Sequence, residues 1–253
     1  MPSMAGLLIV NADDWGIDAA TTDAIAACFA AGRVTSATAM VFMADSERAA
    51  ELAQQIGLPL GLHLNLSEPY TGQTAPDAVR RRQAELTRRF GDRARRWRRW
   101  LPDPTIRTAV ERCVKEQLAA FELLYGHRPT HVDGHKHVQV SPSVARTAAL
   151  RDLPLRRAFS DPTGARSPIA TARRARHRWA LARDGATAHL LPISSMRDDL
   201  LAGREPALLA PAHDEPLEVM AHPGLAHERA LLMSDTWADA LRRFRLGTYE
   251  DLA

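Results

Sequence analysis

Four short stretches place groups that bind protons or metals at the ends of apolar runs. Asp13 and Asp14 follow Leu7, Leu8, Ile9 and Val10 in "LLIVNADDWG", and His63 and Asn65 stand in "GLHLNLS". His131, Asp133, His135 and His137 crowd "HVDGHKHVQV", and His222 closes "LEVMAH" ahead of Pro223 and Gly224. Adjacent carboxylates repel and raise each other's proton affinity, so a cation or a proton relay is the functional reason to keep such a pair. The plainer reading is a helix cap, with Asp14 or Asp18 accepting from free backbone N–H groups. A lone histidine in a strand is most often a hydrogen-bonded core residue. Imidazoles and a carboxylate converging from several strand ends instead make a facial site for a divalent metal, with open positions for water and substrate.

The elements that must position these groups follow from periodicity. Strand candidates are 6–11, 35–42, 59–66, 130–133, 155–159, 188–193 and 217–222, separated by amphipathic stretches such as 19–31, 46–56 and 143–151. This alternation fits right-handed βα crossovers, hence a parallel sheet or barrel whose chemistry sits at the C-terminal strand ends. Within "GLHLNLS", alternation puts Leu62, Leu64 and Leu66 on one face and His63 and Asn65 on the other. Seven strands fall short of a complete eight-stranded ring. No internal repeat or flexible linker divides the chain, so residues 1–253 are expected to form a single domain.

One segment breaks the alternation. From about 76 to 126 the pattern is helical only, with an apolar stripe through Ile106, Val110, Cys113, Val114, Gln117, Leu118, Phe121 and Leu124. Its first part, 80–100, is rich in arginine around Trp97 and Trp100, and residues 171–183, with Trp179, repeat that character. Both read as solvated faces whose tryptophans cap the core, or as a lid or docking surface for an anionic partner.

Composition bounds the rest. The 253 residues are 45% hydrophobic and 25% charged with a formal charge of +3, as in a globular protein, and no apolar run nears the ~20 residues of a membrane span. The N-terminus lacks the basic-then-apolar pattern of a signal peptide. Cys28 and Cys113 have no pairing pattern, which points to a reducing compartment, so a cytoplasmic location is expected. His127, His177, His189, His213 and His227 lack strand-end context and read as surface or loop residues.

Taken in order, "NADDWG", "GLHLNL", "HVDGHKHV" and "MAHPG" resemble the motif set of the YdjC family of carbohydrate deacetylases, over residues 7 to about 224. The resemblance implies a distorted or incomplete (β/α) TIM-like barrel carrying the helical insertion. It also implies one divalent metal ion, zinc or magnesium first among the candidates, and removal of an N-acetyl group from an amino sugar. Carried over by motif, Asp14, His63 and His135 match the metal ligands, Asp13 the catalytic base and His222 the acid. Trp15, Asn65, His131, Asp133 and His137 are assigned to supporting or substrate-facing roles. This sequence has Trp15 where the family often has Phe, and Gln139 where it often has a further histidine. The expected partner is a small N-acetylated sugar, with homo-oligomerisation left open. Two alternatives remain: a metal-dependent hydrolase of a phosphoester or another amide, and a non-catalytic basic protein that binds polyanions. Few aromatic residues accompany the positive charge, which counts against nucleic acid.

Overall fold

In the sequence of β1 (Leu7–Trp15), apolar residues run without alternation because both faces of the strand are covered. Leu8, Val10 and Ala12 join the main core beneath the surrounding helices, while Leu7 and Ile9 form a separate cluster with Tyr249. The same division runs through β2 (Ser36–Ala39), β3 (Leu60–Leu64), β4 (Val132–Gly134), β5 (His189–Pro192) and β6 (Pro216–Ala221). Ala37, Ala39, Leu60, Leu62, Leu64, Val132, Leu217 and Val219 face the helices. Ser36, Thr38, His63, Asp133 and Glu218 alternate with them and so face inward. The computed structural model describes residues 6–91, 101–157 and 186–252.

All pairings are parallel, in the order β4-β3-β2-β1-β6-β5, so the sheet grows outward from β1 on both sides. The strip around Leu155 links its two edges. Arg156 N donates to Val132 O at 2.9 Å on the β4 side, and Ala186 N donates to Leu155 O at 3.1 Å on the approach to β5. The strand expected over 155–159 is thus a single bridge from Val132 to Leu155 within the described residues. The outcome is the incomplete, curled α/β barrel that the alternation predicts.

Helices α1 (Ala19–Ala30), α2 (Ser46–Ile56), α3 (Asp77–Phe90), α4 (Arg107–Tyr125), α5 (Pro142–Ala145), α6 (Arg197–Leu201), α7 (Ala226–Leu232) and α8 (Asp235–Leu241) accompany the sheet. Asp18, not Asp14, is the cap of α1, accepting from Thr21 N at 2.8 Å. The insertion holds α3 and α4 and no strand among the described residues. Two buried glutamines dock it to the loop after β3: Gln83 donates to Asn65 O at 3.0 Å, and Gln117 bonds both Asn65 O and Asn65 N. Several α3 arginines are held on that loop or within the insertion. Arg80 bonds the carbonyls of Ala75, Tyr70 and Gly72, Arg82 pairs with Glu116 and Arg89 with Asp103. Trp97, Trp100, Trp179, His177 and the 171–183 stretch lie outside the described residues.

Candidate metal and active site

A one-residue bulge makes the site. Along β1 and β2, Ala12 pairs with Ala37 but Trp15 pairs with Ala39, so β1 spends one residue more than its neighbour. Asp14 takes up the excess with φ of 74°, a left-handed conformation that costs a non-glycine residue about 1 kcal/mol or more. Regular alternation would send Asp13 and Asp14 to opposite faces. The bulge lets both turn toward the ring's C-terminal mouth.

The two carboxylates then find different partners. Asp14 Oδ1 lies 3.0 Å from His135 Nδ1 and 3.2 Å from His63 Nε2. Burial alone would raise the Asp14 carboxyl, but these imidazoles hold it well below its ordinary value. Asp13 is gripped from below by Arg156, whose Nη1 reaches Asp13 Oδ2 and whose Nη2 reaches Oδ1, both at 2.7 Å. Burial again works upward, and the guanidinium overrides it to leave the Asp13 carboxyl low. Asn11 donates to Asp13 Oδ1 at 3.0 Å, itself fixed by Ser36, which donates to Asn11 Oδ1 at 2.8 Å.

Beneath the mouth lies a closed polar layer. Arg156 is 0% exposed and also contacts Asp133 Oδ2 at 2.5 Å and Glu218 Oε1 at 2.7 and 2.8 Å. His63 Nδ1 meets Asp133 Oδ1 at 2.7 Å, and Thr38 donates to Asp133 Oδ2 at 3.0 Å. Burial would lower the His63 pKa, but Asp133 and Asp13 raise it well above 6.5. Glu218, driven by burial against the pull of Arg156, rises to about 7.

Ligand atoms of Asp14, His63 and His135 lie within 4.8 Å of one another, as do those of Asp13, His63 and Asp133. The second group is already served by the Arg156 cation, and the Asp133 bond leaves only Nε2 of His63 to face the mouth. The first group offers two imidazole nitrogens and a carboxylate, the donor set of a facial site, with Asp133 orienting His63 as carboxylates do for metal-bound histidines. Charge points the same way. Arg156 pairs with Asp13, Asp133 and Glu218 but not with Asp14, which meets only the imidazoles of His63 and His135, so a divalent ion between these three would supply the charge that Arg156 does not. These residues fit the metal that the motifs imply.

His222, at the end of β6, completes the rim. Its Nε2 lies 3.9 Å from Asp13 Oδ2, while its backbone N–H and Nδ1 meet Glu228 Oε2 of α7 at 2.7 and 3.3 Å. Burial lowers the His222 pKa, and the Glu228 bond with the nearby Asp13 charge more than reverses this.

The remaining expected residues divide. Asp133 is in the polar layer as anticipated. His131 is fully buried below it, stacked on Tyr249 with ring centroids 3.5 Å apart and planes 5° from parallel, and burial holds its pKa well below 6.5. His137, left-handed at φ 58°, is pushed by burial and Arg156 down to about 4. Two assignments fall outside the cluster. Trp15 is 0% exposed in the helix-facing core, and Asn65 folds its own loop, accepting from Ser67 N at 3.1 Å and Glu68 N at 2.9 Å. Sequence reasoning passed over Arg156, Glu218, Tyr249, Thr38 and Glu228. Glu218 had a signal, a lone charge inside the apolar strand "LEVMA". Arg156 had none, since nothing in "LRR" marks it from Arg157.

The family model described as YdjC-like protein matches residues 7–244. A chitooligosaccharide deacetylase of Serratia marcescens is 35% identical over 158 residues, covering 60% of this chain and 60% of its own length. A carbohydrate deacetylase of Homo sapiens is 37% identical over 148 residues, covering 56% of this chain and 44% of its own. The match thus spans well under two thirds of either relative. A solved structure from Enterococcus faecalis V583, named for cellobiose-phosphate cleavage, superposes with a TM-score of 0.69 at 22% identity, covering 98% of this chain and 99% of that one, a likeness of fold.

Proposed function

The chain belongs to the YdjC-like protein family, and from that premise we propose that it is a metal-dependent hydrolase that removes the N-acetyl group from an acetylated amino sugar or oligosaccharide. The observation that carries this reading is the convergence of Asp14, His63 and His135 beside Asp13 and His222 at one mouth. The names of the deacetylases it resembles supply the substrate class. Two imidazoles and a carboxylate favour zinc. The buried free thiols of Cys28 and Cys113 suit a reducing compartment such as the cytoplasm, and no helix among the described residues is long and apolar enough to cross a membrane.

When bound, a divalent ion polarises the amide carbonyl and eases loss of a proton from water. Asp14, His63 and His135 would hold it. Asp13 accepts the water's proton at Oδ2, the oxygen nearest His222 Nε2. Because Arg156 keeps that carboxyl low, Asp13 is present as the carboxylate that can accept a proton. His222, steadied by Glu228, delivers a proton to the departing amine, without which an amide does not cleave.

The test is acetate release from a panel of N-acetylated sugars by metal-reconstituted protein. Release from at least one, with about one metal per chain that His63→Ala and His135→Ala lose, is the expected result. Metal bound but no acetate from any sugar would point to another hydrolysed bond, and unchanged metal in both variants would remove the site.

A further inference from the structure

Arg156 has five N–H groups, and all have carboxylate contacts: Nη1 with Asp13 and Asp133, Nη2 with Asp13 and Glu218, and Nε with Glu218. Two of the five therefore end on Glu218 Oε1. The other oxygen of Glu218 accepts the hydroxyl of Tyr249, which is 3% exposed. The ring of Tyr249 is fixed in turn by the flat face of His131 and by Leu7 and Ile9. Its segment is tied to the start of β1, with Leu8 N donating to Arg245 O at 2.8 Å and Gly247 N to Leu8 O at 3.2 Å. Tyr249 lies beyond residue 244, where the family match ends.

The geometry points to Tyr249 as a positioning residue for Asp13, acting through Glu218 and Arg156, so that the C-terminal 3-10 turn Tyr249–Leu252 sets the active carboxylate from the floor of the barrel. A guanidinium shared among three buried carboxylates settles where their pulls balance. Tyr249 donates to the one carboxylate of the three that faces away from the mouth, and so fixes the fork's rear prong. Removing that hydroxyl leaves Glu218 Oε2 without its donor and lets Glu218 and Arg156 shift together, which turns the carboxylate of Asp13 away from His222. Asp14 and His135 do not touch Arg156, and His63 reaches it only through Asp133, which Thr38 also holds, so the ligand trio is expected to keep its place. The effect on turnover rests on Asp13 acting as proposed above; the effect on Arg156 does not.

Tyr249→Phe keeps the ring and its stacking and deletes only the donor. The expected result is a fall in kcat of about tenfold with KM within about twofold and metal stoichiometry unchanged. In the same variant, the ¹⁵N–¹H signal of Arg156 Nε should shift and exchange faster with solvent. Leu252→Ala loosens the same turn without reaching Glu218, and should lower the melting temperature while leaving the Arg156 signal in place. An unmoved Arg156 signal in Tyr249→Phe, or an equal shift in Leu252→Ala, overturns the inference and leaves Tyr249 as a plug. The Arg156 readout needs no substrate, so it decides the matter even if no sugar is deacetylated.

Discussion

Arg156 and Asp13, separated by 143 positions in the chain, meet in a two-pronged ion pair with both N–O distances at 2.7 Å. Asp14, one residue away, never touches that guanidinium and bonds to His63 and His135 instead. Neighbouring carboxylates of one type thereby acquire different partners, one a fixed guanidinium and the other two imidazoles.

Substitution should separate them. Asp14→Asn replaces a charged donor with a weaker neutral one and should weaken metal binding with little change in stability. Asp13→Asn should keep the metal, lose about 10²- to 10⁴-fold in kcat, and, because two of the five Arg156 contacts lose their charged partner while Asp133 and Glu218 remain, lower stability by about 1–3 kcal/mol. Metal stoichiometry, turnover and denaturant titration on both variants decide this. Full activity in Asp13→Asn would remove it as the base.

Arg156 itself should be irreplaceable. Arg156→Lys keeps the charge but offers a point donor where a planar fork serves three carboxylates, and Arg156→Met strands them all. Loss of about 3–5 kcal/mol is expected for Met and a smaller loss for Lys, with turnover abolished in both. Urea midpoints close to the parent's would show that the buried pair contributes nothing to stability.

Gly61 is required by the ring below it. A Cβ there would stand 2.5 Å from both Cε1 and Nδ1 of His131. Gly61→Ala should cost about 1–3 kcal/mol, and His131→Ala in the same chain should return part of that loss as a coupling of about 1 kcal/mol. A double-mutant cycle with no coupling would show that the backbone, not the imidazole, forbids the side chain.

The pH dependence should follow His222. Burial lowers its pKa, the Glu228 bond outweighs this, and the folded value therefore lies above the ordinary 6.5. A raised pKa means that the folded state holds the proton more tightly. The associated stability is fully present below the unfolded pKa and disappears as pH rises through the folded one. With His222 as the proposed proton donor, kcat should fall over that same upper interval. Glu228→Gln should move the alkaline limb to lower pH; a limb that stays put would assign it to another group.

How far the sequence carried this reading can be seen at particular residues. His63, Asp133 and His135 were legible because polar residues at the ends of apolar runs break a strong local pattern, and they stand in or directly after β3 and β4. The helical insertion was legible from its stripe, which the buried face of α4 reproduces from Val110 to Phe121. Arg156 was not, since its role depends on contacts across the ring with Asp13, Asp133 and Glu218, and no local pattern distinguishes it among so many arginines. Trp15 misled for a related reason. Its place beside Asp14 suggested the site, but the bulge that turns Asp14 to the mouth returns Trp15 to the helix-facing side.

That bulge also fixes what kinds of change the chain can accept over evolutionary time. Only Asp13 and Asp14 lie between Ala12 and Trp15, so the loss of one residue there would restore the regular count against β2 and leave a single carboxylate facing inward. A substitution at this strand end alters one group, while a deletion removes half of the pair and an insertion exchanges inside for outside. The segment is therefore open to drift in identity at positions such as Ala12 but closed to drift in length, and any relative that gains or loses a residue here must have rebuilt its site from other positions.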